Sequence, residues 1–410
     1  MMTNCKIALC AIVKNENLYI RDWIEYHKKL GIDKIFLYDN NDINGEKLSD
    51  VINDYILSKY VVIFNRRGIE KGLVYNKNNI NLQNQCYIEC YNNLKDFSEF
   101  QWVFFIDLDE YINVKSGTLK EQLTDKKYNE FDTICFPWII YDDNEQLTYK
   151  PGSLINRFPN ISKYKDKLQQ VKSCVRIGKD INDYNQFLLI HYILLKDEKV
   201  CYENGETVNF LPINVDINND NNVKQYKKIN YPLEKIHECN ITINHYRFKT
   251  LEEYLIRQYK RHWGSTKHYT NKQRSLKQLE NIFFKYNNKT QEKLLIFLKL
   301  KDFIMNGKII VNLYYKNDKQ IIKLLNTLNN QSLKPTDILI HISKDEQKLS
   351  KLNFDNYKFN IKYYYDITTP KYQENKLIKE NDLKYKIILN DSTNYDDQFL
   401  KTLIIKSLFN

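Results

Sequence analysis

The sequence predicts an α/β fold on a mostly parallel, Rossmann-like sheet with helices on both faces, followed by a second, partial α/β unit. Three observations carry this expectation. Over the first hundred residues, short apolar runs alternate with stretches whose apolar residues recur at helical spacing. The apolar runs are nearly unbroken, as strands covered on both faces are. The same rhythm restarts near residue 305, after a helical stretch rich in Lys, Gln and Asn.

The elements follow in order. KIALCAIV reads as a first strand. NENLYIRDWIEYHKKLG places Ile20, Trp23, Ile24, His27 and Leu30 on one helical face, and Gly31 is a natural stop. DKIFLYD is a second strand. LSDVINDYILSKY is a helix with Leu48, Val51, Ile52 and Tyr55 together, and YVVIFN is a third strand. A helix over about 80–94 leads into a fourth strand, QWVFFID. From about 115 to 250 short strands (TICFPWIIY, QFLLIHYILL, ITINHYRF) lie between polar loops. LEEYLIRQYKRHWG is a helix, a helical stretch spans about 270–304, and KIIVNLYYKND opens the second unit. The predicted division is residues 1–270, a helical connector over 271–304, and 305–410.

Composition bounds the function classes. At about 150 residues per domain, 410 residues make two to three domains. With 42% hydrophobic and 28% charged residues, global disorder is excluded. No apolar run reaches the roughly 18 residues of a spanning helix. The apolar stretch from Ile7 to Val13 runs straight into Lys14-Asn15-Glu16, so it reads as a strand and not as a signal peptide. The eight cysteines form no C-x-x-C pair and mostly sit in apolar runs, which predicts reduced, buried thiols in a cytoplasm. Cys86 and Cys90, four apart on a helix, read as packing residues. The net charge of +11 is spread out, without a run of five Lys/Arg or a zinc-finger spacing, so no nucleic-acid partner is expected.

The strongest chemical signal is VFFIDLDEYI, residues 103–112. Four apolar residues drive a strand into the core, and the chain then stops at three carboxylates. Asp107 and Asp109 share a face of an extended strand and can converge on one ion where the chain turns. Hard oxygens suit Mg²⁺ or Mn²⁺, which would bridge the oxygens of a diphosphate. The plain alternative is a solvated acidic turn. Lys14-Asn15-Glu16 and Tyr38-Asp39-Asn40-Asn41 fall at the ends of the first two strands, the edge where such sheets bind ligands.

Five stretches in order resemble a GT-A glycosyltransferase, close to glycosyltransferase family 92 and related bacterial family-2-like enzymes. They are CAIVKNENLYIRDWIEYHKKLGIDKIFLYDNND, QNQCYIECYNN, QWVFFIDLDEYI, PGSLINRF and INHYRFKTLEEYLIRQYKRHWG, covering residues 6 to about 264. The resemblance implies a GT-A fold and a nucleotide-sugar donor. It implies Asp107 and Asp109 as the metal-binding Asp-x-Asp and His245 as a late-chain ligand to the same metal or diphosphate. It places Asn15, Glu16, Asp39 and Asn40 at the base and ribose, with Asp39 accepting from a uracil N–H. It makes Arg157, Lys260 and Arg261 basic positions that neutralise phosphate, with Asp107 also against the donor. Taken alone, a His between strand residues and Tyr is more often a packed core histidine. His27 reads as structural, and His262 and Trp263 as either acceptor-site residues or a capping cluster.

An inverting displacement needs a carboxylate base at the acceptor hydroxyl. Asp142 and Asp143 in WIIYDDNEQ, with Glu145 beside them, are the candidates; a solvated turn is the alternative. The family has a Gly-rich loop near this point, which this chain replaces with carboxylates.

The expected function is a Mn²⁺- or Mg²⁺-dependent inverting transfer of a hexose, galactose by resemblance, from a UDP-sugar. The acceptor is a hydroxyl of a bacterial surface glycan or glycolipid, such as lipooligosaccharide or capsule. The enzyme is expected in the cytoplasm, peripheral to the inner membrane, with the oligomeric state open. The rivals are a phosphoryl-transfer enzyme of haloacid-dehalogenase type and a non-catalytic glycan-binding protein on a degenerate scaffold. Tyr111 stands where the first rival needs Thr or Val, and the paired aspartates disfavour the second. Residues 305–410 are expected to be the nucleotide-binding half of a second, inactive glycosyltransferase-like domain. Lys316-Asn317-Asp318 there parallels Lys14-Asn15-Glu16, and Asn390-Asp391-Ser392 stands where the Asp-x-Asp would be.

Overall fold

A computed structural model describes residues 5–43, 45–69, 74–75, 78–79, 82–95, 99–163, 168–181, 191, 195, 199–208, 211–216, 223–260, 276–306, 308–314, 325, 337–343, 360–366, 376–381 and 384–388. The chain divides into two compact units. One comprises Met1–Asn144, Pro151–Lys249 and Trp263–Gln273; the other comprises Glu145–Lys150, Thr250–His262 and Arg274–Asn410.

The first unit begins β1 (Ile7–Val13), α1 (Ile20–Leu30), β2 (Lys34–Asp39), α2 (Ser49–Leu57) and β3 (Val61–Asn65). The two-residue strands β4 (Val74–Tyr75) and β5 (Asn78–Asn79) precede α3 (Leu82–Lys95), β6 (Trp102–Phe105) and β7 (Glu110–Val114). Next come α4 (Leu119–Leu123), β8 (Thr133–Ile140), α5 (Leu154–Arg157), β9 (Leu168–Gln169) and β10 (Val171–Arg176). The unit closes with β11 (Val200–Tyr202), β12 (Leu211–Asp216), β13 (Val223–Lys228), β14 (Tyr231–Pro232) and β15 (Ile241–His245). Of the predicted strand QFLLIHYILL, only His191 and Leu195 are described.

The central sheet has the order β3-β2-β1-β6-β10-β8-β15-β7. β3, β2, β1 and β6 are parallel, so their carboxyl ends share one edge. β10 is wedged antiparallel between β6 and β8. The far edge of β8 is divided, with β11 on its first half and β15 on its last. The fold is thus α/β, mostly parallel and Rossmann-like, as the unbroken apolar strands predict. Successive residues Ile7 to Ala11 of β1 are all buried, so both faces of the sheet are covered. On one face Ala8, Cys10, Phe36, Tyr38, Val103 and Phe105 pack against Cys86, Tyr87, Cys90, Tyr91 and Leu94 of α3.

The helix α1 shows how local sequence sets position. Ile20, Trp23, Ile24 and His27 are its buried face. Trp23 Nε1 donates to Glu110 O at 2.8 Å and Tyr26 Oη to Ile112 O at 2.8 Å, which ties the helix to β7. Gly31 ends it at φ 105°, with its N–H on Lys28 O and that of Ile32 on His27 O. Gly31→Ala is expected to cost about 1 kcal/mol or more, because a Cβ disfavours that backbone. A urea midpoint equal to the parent's would contradict this.

His27 is a core residue, as its helical face predicts. Its Nδ1 lies 2.8 Å from Trp23 O, and Ile112 N donates to its Nε2 at 3.3 Å. Burial lowers its pKa to about 3, so it stays neutral.

The second unit contains α6 (Leu251–Lys260), α7 (Leu276–Tyr286) and α8 (Gln291–Asn306), then β16 (Lys308–Tyr314), β17 (Asp337–Ser343), β18 (Asn360–Asp366), β19 (Lys376–Asn381) and β20 (Lys384–Ile388). Segment 145–150 and α6 group here, although the sequence reading put them in the first domain. Leu251 N donates to Gln146 O, and Tyr149 N to the Glu252 carboxylate. The sheet has the order β18-β17-β16-β20-β19 and shares no strand with the first. β18, β17, β16 and β20 are parallel, the same order and direction as β3-β2-β1-β6. Lys316-Asn317-Asp318 and Asn390-Asp391-Ser392 lie outside the described residues.

Candidate functional site

The site forms where β6 ends. Beyond Ile106 the chain makes a tight turn in which Glu110 N donates to Asp107 O at 3.0 Å and Asp107 N to Glu110 Oε2 at 2.8 Å. β7 then leaves antiparallel to β15, with His245 opposite Glu110. This register delivers His245 to the turn: its Nε2 lies 3.6 Å from Asp109 Oδ2, and Tyr246 N donates to Asp109 O at 2.8 Å. Both side chains are buried. The imidazole of His245 also lies 4.4 Å from the Trp138 ring near the end of β8, tilted 54° to it, and His191 meets the same indole at 4.9 Å.

Asp107 has a different environment. Its Oδ1 accepts from Gln83 Nε2 of α3 at 2.7 Å, and its Oδ2 accepts from Lys172 Nζ of β10 at 3.0 Å. Lys172 is wholly buried and lies 3.3 Å from Glu110 Oε2. Burial pushes the Asp107 carboxyl up, but Lys172 outweighs it and holds the group below the ordinary value. Glu110 goes the other way: burial raises it well above the carboxylate range, and Lys172 recovers only part. Burial pulls Lys172 down, while Asp107 and Glu110 bring it above the ordinary ammonium value.

Among the described residues no three His, Cys, Asp or Glu side chains are grouped to hold an ion by themselves. Asp109 and His245 nevertheless suit a shared cation. At 3.6 Å they are too far apart for a hydrogen bond. That gap suits two ligands each about 2.1 Å from one ion. Mg²⁺-type sites commonly take one or two protein ligands and complete their shell with substrate phosphates and water. Asp107, by contrast, spends an oxygen on each of two N–H donors.

The ends of β1 and β2 are stitched together. Asp39 Oδ1 accepts from Asn41 N at 3.0 Å and Asn41 Nδ2 at 2.8 Å, and its Oδ2 from Arg67 at 2.9 Å. The Asn40 amide donates to Arg66 O and Ile69 O. Asn15, at φ 57°, donates its N–H to Asn41 Oδ1 at 2.8 Å. The side chains implied as base and ribose contacts are thus partly committed to holding these loops. Arg67 also donates to the carbonyls of Asp42, Ile43, Gly45 and Glu46. Arg67→Met is expected to lower stability by about 1–2 kcal/mol, since the Asp39 carboxylate and several half-buried or exposed loop carbonyls lose a charged donor. Limited proteolysis should then cut first between 42 and 46. Unchanged urea midpoints and cleavage patterns would show that the loop holds without it. Glu16 is buried 3.8 Å from Lys249 Nζ, and that lysine sits over the Tyr19 ring.

The acidic turn after β8 adjoins His245. Ile140 is in register with His245, and Tyr141 N donates to His245 O at 3.1 Å. Asp142 Oδ1 accepts from Asn144 N at 2.8 Å, and Asp143 is buried. Arg157 is buried at the end of α5, whose first turn is capped by Ser153, and its carbonyl accepts from Asn144 Nδ2. Lys260 ends α6 in the second unit, with its side chain outside the described residues, as is all of Arg261. The sequence reading missed Lys172, Gln83, Arg67 and Trp138. A lone Lys inside the apolar strand VKSCV was a usable signal for the first, because buried lysines need partners.

The family model described as Glycosyltransferase family 92 matches residues 6–247. The chain belongs to glycosyltransferase family 92. The family 92 match begins just before β1 and ends just after His245, so it contains the whole Asp107–His245 constellation. A glycosyltransferase family 92 protein of Oryza sativa subsp. japonica is 27% identical over 134 residues, 32% of this chain and 20% of that protein. One from Ricinus communis is 24% identical over 112 residues, 27% of this chain and 18% of that protein. One from Arabidopsis thaliana is 29% identical over 111 residues, 26% of this chain and 16% of that protein. The matched segments therefore span a fifth or less of these relatives. Among solved structures, S. aureus TarS 1-349 in complex with UDP-GlcNAc overlaps 48% of this chain and 58% of that one, at 13% identity and a TM-score of 0.25. A 4-diphosphocytidyl-2C-methyl-D-erythritol synthase from Anaerococcus prevotii overlaps 49% and 87%, at 11% identity and a TM-score of 0.23.

Proposed function

We propose that this family 92 protein is a metal-dependent inverting glycosyltransferase that moves a hexose from a UDP-sugar to a glycan hydroxyl. The observation that carries the reading is the pair Asp109–His245, buried 3.6 Å apart at the sheet edge where ligands of such folds bind. Mn²⁺ or Mg²⁺ would be held by Asp109 and His245 and completed by the donor's diphosphate. Bound there, the ion would supply Lewis-acid stabilisation of the departing UDP.

The chain's own groups do the rest. The loops after β1 and β2, with Asn15, Glu16, Asp39 and Asn40, cradle the nucleoside. Arg157 adds positive charge for phosphate. Asp142 or Asp143 accepts the proton of the attacking hydroxyl, and position supports this, because their turn starts next to His245.

Galactose is the leading sugar on family resemblance. The acceptor in this reading is a bacterial surface glycan or glycolipid, and the heavy Asn, Lys and Ile usage fits an AT-rich genome without bearing on function. All eight cysteines are buried free thiols, which supports a reducing cytoplasmic setting, peripheral to the inner membrane. Among the described residues no helix is long and apolar enough to cross a membrane. In this reading residues 305–410 are a second, inactive half-domain, supported by the strand order shared with β3-β2-β1-β6.

Hydrolysis of a panel of UDP-sugars, with and without Mn²⁺, tests the reading. One sugar should be released with Mn²⁺ and not with EDTA. Release of inorganic phosphate from phosphomonoesters instead would favour the phosphoryl-transfer rival.

A further inference from the structure

A fully buried lysine in the middle of a sheet is expensive unless its charge is matched. Lys172 sits on β10 opposite Phe136 of β8, with Val171, Ser173, Cys174 and Val175 all buried around it. Its ammonium reaches past these neighbours to the turn that carries Asp107, Asp109 and Glu110. It lies 3.0 Å from Asp107, 3.3 Å from Glu110 and 5.9 Å from the Trp138 ring.

Two features set this apart from an ordinary buried ion pair. First, the two aspartates of the motif are treated differently. Asp107 turns one oxygen to Lys172 and the other to Gln83, while Asp109 lies 3.6 Å from His245. Second, the same corner holds an unspent donor. Trp138 is 6% exposed, and among the described residues its Nε1–H has no hydrogen-bond partner, although its ring lies tilted against His245. A corner with a fixed ammonium and a spare buried N–H is complementary to a ligand rich in anionic oxygens.

We propose that Lys172 is the resident cation of this site, which keeps Asp107 out of the ion's ligand set and supplies a permanent positive charge that balances the diphosphate of the donor. The inference rests on the nucleotide-sugar reading above. Lys172 is a positioning residue: it acts on the ion through Asp107 and on the diphosphate through its charge. The two aspartates of the turn would otherwise repel a diphosphate whenever no ion is bound.

The proposal makes two affinities move in opposite directions. In Lys172→Met, Asp107 is released and one positive charge is lost. Mn²⁺ alone, titrated by electron paramagnetic resonance, should bind roughly tenfold or more tightly than to the parent. UDP, titrated calorimetrically in EDTA, should bind roughly tenfold or more weakly. A purely structural lysine would weaken both together, so an Mn²⁺ affinity that is unchanged or reduced overturns the proposal, as does unchanged UDP binding in EDTA. Because Lys172→Met leaves Asp107 unpaired and risks the fold, Asp107→Asn is the second variant. It should keep Mn²⁺ binding within about threefold of the parent and tighten UDP in EDTA, since Lys172 then stands unneutralised. Loss of Mn²⁺ binding in Asp107→Asn makes Asp107 a ligand and overturns the assignment. A parent that binds no Mn²⁺ defeats the metal reading, and the UDP arm then decides on Lys172. A parent that binds no UDP defeats the donor reading, and the Mn²⁺ arm decides.

Discussion

Asp109→Asn is expected to leave the protein folded and to abolish Mn²⁺-dependent turnover. The swap changes one oxygen for an NH₂ and little volume, and it removes the carboxylate charge 3.6 Å from His245. Loss of one of the two proposed protein ligands should lower Mn²⁺ affinity by roughly 10²-fold or more, judged against the 10–100-fold cost of losing even an outer-shell partner. Circular dichroism and the urea midpoint should stay near the parent's. Retained Mn²⁺ affinity together with retained activity would take Asp109 out of the site. The contrast with Asp107→Asn, which should keep the ion, separates two aspartates that the motif alone treats as equals.

The second large effect is acid sensitivity through His27. Its folded pKa is depressed to about 3 from an ordinary 6.5, because burial disfavours the imidazolium and both ring nitrogens are engaged in neutral form. The unfolded chain takes up this proton below pH 6.5, and the native state does not until about pH 3. The stability from this group is therefore full above pH 6.5 and is lost as pH falls toward 3. The slope is roughly 1.4 kcal/mol per pH unit within that window. Urea midpoints at pH 7.5, 6.0 and 5.0 measure it. His27→Gln, whose amide offers one donor and one acceptor, should be less stable at pH 7.5 but show a shallower acid slope. An identical slope in parent and variant would assign the acid sensitivity to other groups.

What was legible in the sequence follows from which interactions are local. The strands β1, β2, β3 and β6 and the helix α1 announce themselves through period and stop signals, because burial of the whole strand or of one helix face is written in consecutive residues. The buried, neutral His27 was legible for the same reason. The Asp107–Asp109 turn was visible because a strand cannot end in three carboxylates without exposing or pairing them. What pairs them was not visible. Lys172 lies 65 positions from Asp107, and only the antiparallel insertion of β10 beside β6 brings them together. His245 was marked by resemblance and not by pattern, since its place depends on the pairing of β15 with β7. Arg67 carried no signal, because carbonyls gathered from 42 to 46 leave no trace in side-chain chemistry.

The burial of every thiol has a practical consequence. Burial raises Cys10, Cys135 and Cys174 far above the usual thiol range, and Cys86, Cys201 and Cys239 to about 12. None is a ready nucleophile in the native state. An alkylating probe must wait for the structure to open, so labelling rates become a clock for opening. Cys10, Cys86 and Cys90 time the separation of α3 from the sheet, and Cys135 and Cys239 time the breathing of the cluster beneath β8. The protein thus carries internal stopwatches for two parts of its core, readable by mass spectrometry without any engineered label.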